Sequence, residues 1–136
     1  MLKLKTSSHA KHLLLFHLIF VCKYRYKVLE NELINKRVKE LSLEIAKRKD
    51  FEIHFIESDK DHIHYMIELK PKHQFCKIVN NMKSFITYHI CKELPNEISK
   101  YYYNNKHVLF TGGYFISSIG NVSQETLRKY IEEQGN

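Results

Sequence analysis

The stretch Asp61-His62-Ile63-His64-Tyr65-Met66-Ile67-Glu68-Leu69 (DHIHYMIEL) decides how this chain is read. It alternates polar and apolar residues. In a β-strand successive side chains point to opposite faces, so residues i and i+2 share one. His62, His64, Met66 and Glu68 then fall on one face, and Ile63, Tyr65, Ile67 and Leu69 on the other. The second set is wholly apolar or aromatic and is expected to meet the core. The first carries two imidazoles about 7 Å apart at Cα, from a rise of roughly 3.3 Å per residue. That spacing lets both rings lean toward one ion or one phosphate. On its own, a His-x-His pair is also what an ordinary solvated strand face carries.

The same patterning extends outward. Phe51 to Glu57 reads as a partner strand with Phe51, Ile53 and Phe55 on one face, joined to His62–Leu69 by the polar turn Ser58-Asp59-Lys60-Asp61. Pro71 stops the hairpin. Leu13 to Cys22 is a continuous apolar run, read as a strand buried on both faces. It is too short to span a bilayer, and no small-residue cleavage site follows it. Leu29, Leu33, Ile34, Val38, Leu41 and Ile45 recur at helical spacing through about Arg48. Phe75, Ile78, Val79, Met82, Phe85, Ile86 and Ile90 do the same in a second helix. Gly112 to Gly120 contains a short strand. A last helix begins near Ser123, a good N-cap, with Glu125 in its first turn and Val122 and Leu127 at staple spacing. The order strand, helix, hairpin, helix, strand, helix predicts an α+β fold. An antiparallel or mixed sheet would carry helices packed on it, in one domain over residues 1–136.

Composition limits the functions. The chain has 136 residues, 43% hydrophobic and 27% charged, which suits a folded domain with a sizeable core. Lys and Arg number 22 against 15 Asp and Glu, a net charge of +7. A small basic domain favours polyanions, nucleic acid first and an anionic membrane surface second. Cys22, Cys76 and Cys91 are far apart and form no CxxC pair, so neither a disulfide framework nor a zinc ribbon is expected. A reducing, cytoplasmic compartment follows. Lys23-Tyr24-Arg25-Tyr26-Lys27 interleaves charge that neutralises phosphates with rings that can stack on bases, and Lys100 to Lys106 has the same character.

On the last helix Leu127, Tyr130, Ile131 and Gln134 form one stripe at i, i+3, i+4 and i+7. Leu127 and Ile131 are the expected buried pair, and Tyr130 and Gln134 lean the same way beside them. Taken together, DHIH on a strand, CKYRYKVL before it and GYFISSIGNVSQETLRKYIEEQ after it carry a resemblance. From about Lys11 to Gln134 the chain resembles the HUH single-tyrosine transposases of single-strand insertion sequences (the insertion sequence 200/605 type). The name denotes His, a bulky apolar residue and His, here His62, Ile63 and His64.

The resemblance implies a ferredoxin-like, HUH-endonuclease sandwich with the tyrosine on a C-terminal helix. It implies that His62, His64 and Gln134 ligate a metal and that Tyr130 is the nucleophile. It also implies a homodimer acting on single-stranded DNA with hairpins near the element's ends. A donor set of two imidazoles and an amide oxygen, without thiolate, suits Mg²⁺ or Mn²⁺. The activity implied is cleavage and rejoining of single strands through a 5′-phosphotyrosine. The competing reading is a non-catalytic single-stranded hairpin-binding module or regulator on the same fold. A water-using two-histidine phosphoesterase would need a second His-x-Ser/Thr or His-x-His element, and the sequence shows none.

Overall fold

Local sequence fixes each element of the computed structural model, which describes residues 12–102, 106–123 and 129. Strand β1 spans His12–Val21. Two short 3-10 turns follow, Lys23–Arg25 and Val28–Glu30. Helix α1 spans Glu32–Arg48. It starts at Asn31, whose side-chain oxygen accepts the Ile34 amide at 3.1 Å and satisfies a first-turn donor. Strands β2 (Glu52–Ser58) and β3 (His62–Glu68) form the expected hairpin. Helix α2 spans Phe75–Glu93, and Pro95 at the first position of α3 (Pro95–Ser99) opens a further short helix. Strand β4 runs Phe115–Ser123, later than the glycine-bounded span in the sequence suggests. Lys129, beyond it, is helical and exposed.

The four strands pair in the order β2-β3-β1-β4, every neighbour antiparallel. This is the split βαβ arrangement of a ferredoxin-like fold, and it confirms the α+β expectation. Both long helices lie on one side of the sheet. Leu18 and Phe20 of β1 and Ile63, Tyr65 and Ile67 of β3 meet Ile34, Val38 and Leu41 of α1 and Met82, Ile86 and Ile90 of α2. Each fully buried aliphatic contributes about 1.5–3 kcal/mol. On the helix surface Arg37 clamps Glu93 with two bonds, Nε at 2.6 Å and a terminal nitrogen at 3.1 Å, tying α1 to α2.

Two expectations need correction. β1 is not equally buried on both faces. Its helix-side residues Leu18 and Phe20 are fully covered, whereas His17, Ile19 and Val21 on the second face are only half-buried. Nor do Phe51, Ile53 and Phe55 share a face. A β-bulge between Ile53 and Phe55 shifts the register, so Ile53 pairs with Ile67 while Phe55 pairs with Met66 on the opposite side. One extra residue in a strand inverts the alternation beyond it. Among the described residues there is no disulfide, and no helix is long and apolar enough to cross a membrane.

A buried polar contact joins the layers. Ser42 Oγ donates to the Val38 carbonyl and, with its proton so engaged, accepts from Tyr65 Oη, each at 2.7 Å. Tyr65→Phe leaves Ser42 its carbonyl partner and should cost about 1 kcal/mol. Ser42→Ala strands the buried phenol hydroxyl and should cost more, about 1–3 kcal/mol. Urea unfolding of the two variants checks the order, which equal losses would contradict.

Candidate metal centre

The second face of the sheet gathers the chemistry. Antiparallel register places Val21 opposite His62, Ile19 opposite His64 and His17 opposite Met66. On the other side of β3, Glu57 lies opposite His64 and Phe55 opposite Met66. His62 and His64 thus project from one face, as the alternation predicts. Met66, expected on that polar face, is nevertheless fully buried. It lies between the register positions of His17 and Phe55, and with buried Leu15 it gives the face an apolar floor.

His62 is oriented by its neighbour. Its Nδ1 donates to Asp61 Oδ1 at 3.0 Å, which leaves Nε2 as the lone-pair nitrogen. Asp61 in turn accepts Arg25 Nε on its other oxygen at 3.0 Å. The bond from His62, then that from Arg25, holds the Asp61 carboxyl below its usual range, so it is ionised at neutral pH. Carboxylates that grip the outer nitrogen of an imidazole fix its tautomer and raise its basicity as a ligand.

His64 has a different partner, one that the sequence reading did not single out. Its Nε2 lies 2.8 Å from His17 Nδ1, with the ring centroids 4.9 Å apart. One of these nitrogens donates and the other accepts. Burial, and after it the nearby His17, lowers the His64 pKa, so the ring is neutral at neutral pH with a lone pair to offer. The signal for His17 was in the sequence: a single imidazole inside Leu13–Cys22. It pointed nowhere until the strand order put β1 beside β3.

Further down the same face, Glu52, His54 and Glu68 bring three ligand atoms within 4.8 Å of one another. His54 Nε2 lies 2.8 Å from Glu68 Oε1 and 3.6 Å from Glu52 Oε2. The two glutamates sit directly opposite in the register, a like-charge pair that His54 bridges. Glu68 is four residues from His64, about 13 Å along the strand, so this trio is separate from the histidine pair.

The basic segment departs from the strand-like alternation its sequence suggests. Lys23–Arg25 is a 3-10 turn, and Tyr24 and Arg25 both take positive φ, 56° and 54°. Through Arg25 and Asp61 the turn reaches His62. Tyr130 and Gln134, the expected nucleophile and third ligand, lie outside the described residues.

Comparison with known proteins places the chain. Residues 10–134 match the family model described as Transposase IS200 like. The chain is 26% identical over 133 residues to the ISDra2 transposase TnpA of Deinococcus radiodurans, covering 98% of this chain and 92% of that protein. It superposes on the crystal structure of a transposase from Deinococcus radiodurans with a TM-score of 0.69 at 25% identity, over 90% of this chain and 91% of the other. A REP-associated tyrosine transposase bound to a REP hairpin shares the fold, with a TM-score of 0.56 at 14% identity over 88% and 62% of the two chains.

The His17–His64 contact makes a titration prediction. By NMR, His64 should titrate below the ordinary 6.5. In His17→Asn the midpoint should rise yet stay below 6.5, because burial is the larger cause. Its depressed folded pKa means that the stability it contributes is present above the unfolded pKa and is lost as pH falls through the folded value. A midpoint at or above 6.5 in the unaltered protein would contradict this account of the pocket.

Proposed function

This chain belongs to the IS200-like transposase family, and we propose that it cleaves and rejoins single-stranded DNA at the ends of an insertion sequence through Tyr130. The reading is supported above all by the pair His62 and His64, half-buried on one sheet face with Asp61 setting the ring of the first, within a family match that runs to residue 134. Tyr130 and Gln134 are assigned by their positions in the family pattern.

The donor set fits a divalent ion. His62 presents Nε2, His64 is neutral, and Gln134 adds an amide oxygen; no thiolate is involved. Mg²⁺ or Mn²⁺ suits such a mixed set, with imidazole tilting the choice toward Mn²⁺. When bound, the ion supplies a Lewis acid that polarises the scissile phosphate. The chain's residues do the rest. The Tyr130 phenol loses its proton to solvent and its oxygen attacks phosphorus; the bond to the 3′ oxygen breaks, and that oxygen takes up a proton, leaving a 5′-phosphotyrosine and a 3′-OH. A second 3′-OH reverses the step, so the phosphodiester is conserved without ATP. A phenol of ordinary pKa near 10 is about one-thousandth ionised at pH 7, a deficit of roughly 4 kcal/mol that the site must offset. Lys23, Arg25 and Lys27 neutralise phosphates, and Tyr24 and Tyr26 offer faces for bases. We assign DNA hairpins at the element's ends as the recognition element and a homodimer as the working form. A family fold seen bound to a hairpin supports the first.

Incubation with labelled single-stranded oligonucleotides carrying the element's end, with Mn²⁺ or Mg²⁺, should give a covalent protein–DNA band after denaturation. The band should vanish in Tyr130→Phe and without the metal. His64→Ala should abolish cleavage while sparing hairpin binding. Binding with no adduct would favour the non-catalytic module, and cleavage with no adduct a hydrolase.

A further inference from the structure

Two tyrosine- and lysine-bearing stretches, far apart in sequence, meet around one pocket. Lys23 and Tyr24 come from the turn after β1; Tyr101, Lys106 and Val108 come from the segment between α3 and β4. Together they line a cavity of about 160 Å³. The two connect through the backbone: the Lys23 amide donates to the Leu109 carbonyl at 2.9 Å, and Cys22 bridges to Phe110. No acidic side chain among the described residues lines the cavity.

The turn is built in an unusual way. Tyr24 has φ 56° and ψ 20°, the left-handed region that a bulky residue enters only at a cost. The Lys23 amide bond, the Arg25 amide donating to Cys22 O at 2.8 Å and the Arg25–Asp61 ion pair hold it there. The result is a tyrosine 53% exposed, with Lys23 Nζ 5.3 Å from its ring centroid and the Tyr26 ring centroid 5.8 Å away. Across the pocket Tyr101 is half-buried against the core, and Lys100 Nζ stands 5.6 Å over its ring. Rings flanked by ammonium groups suit a flat π-system attached to phosphate.

We propose that this pocket takes one unstacked base of the single strand, stacked on Tyr24, with Lys23 and Lys106 on the adjoining phosphates. The assignment rests on the reading under Proposed function and deepens it. The run Tyr24, Arg25, Asp61, His62 ties the pocket to the proposed metal centre, so the base held belongs to a nucleotide close to the phosphate that is cut.

The test is an abasic scan by fluorescence anisotropy, using oligothymidylate of about twelve nucleotides, within the usual site sizes for such binders. A single abasic position should weaken binding to the wild-type protein about 5- to 150-fold. Tyr24→Ala should lose the same factor with intact DNA and become indifferent to that abasic position. Tyr24→Phe should restore both affinity and sensitivity. Lys106→Ala should weaken all the oligonucleotides alike and flatten the salt dependence. Circular dichroism checks that each variant folds, and Tyr24 is exposed enough for the alanine to be tolerated. Should the abasic penalty persist undiminished in folded Tyr24→Ala while the wild-type protein still forms the Tyr130 adduct, the pocket assignment is wrong and the transposase reading stands. Should the wild-type protein neither bind single strands nor form the adduct, the parent reading fails and the pocket falls with it.

Discussion

The antiparallel pairing of β1 with β3 in one register is the constraint on which the rest depends. It sets Phe20 against Ile63 and Leu18 against Tyr65 on the helix side. On the other side it sets Ile19 against His64 and places His17 within reach of His64. A slip of one residue would turn the core-facing set outward and bury the imidazoles under the helices. The hydrophobic energy that fixes the core therefore also fixes the candidate metal centre. The two are opposite faces of the same two strands, and the burial of Tyr65 specifies where His64 points.

Much of this was legible in sequence, for a physical reason. Period-two alternation in DHIHYMIEL reports a half-buried strand, and the period of the helices reports one covered face each. Those signals gave the element order and put His62 and His64 together. What alternation cannot report is a change in its own phase. The bulge at Ile53–Phe55 moved Phe55 beside His64, 6.3 Å between ring centroids, and left His54 bridging Glu52 and Glu68. Nor could a local pattern find His17, because its role exists only once β1 lies between β3 and β4. Met66 was misread for a related cause: position parity names a face but not how deeply neighbouring side chains cover it.

The basic segment shows another limit. Alternating Lys, Tyr, Arg, Tyr and Lys names the chemistry of the segment but not its backbone, which coils into a 3-10 turn. The reason lies outside the segment, in the Leu109 carbonyl and the Asp61 carboxylate that capture its amide and its guanidinium. The same Asp61 also grips His62. One carboxylate therefore joins a cationic surface element to an imidazole of the candidate centre.

The left-handed backbone at Tyr24 sets folding against function. Glycine is the residue that this conformation prefers, since it adopts positive φ without the steric cost of a Cβ. Selection for stability alone would therefore drift toward glycine at this site. A lineage that keeps an aromatic ring there accepts a less stable turn in return for what the ring touches, whereas a decayed copy, released from that demand, has a ready route to a firmer but blunter protein.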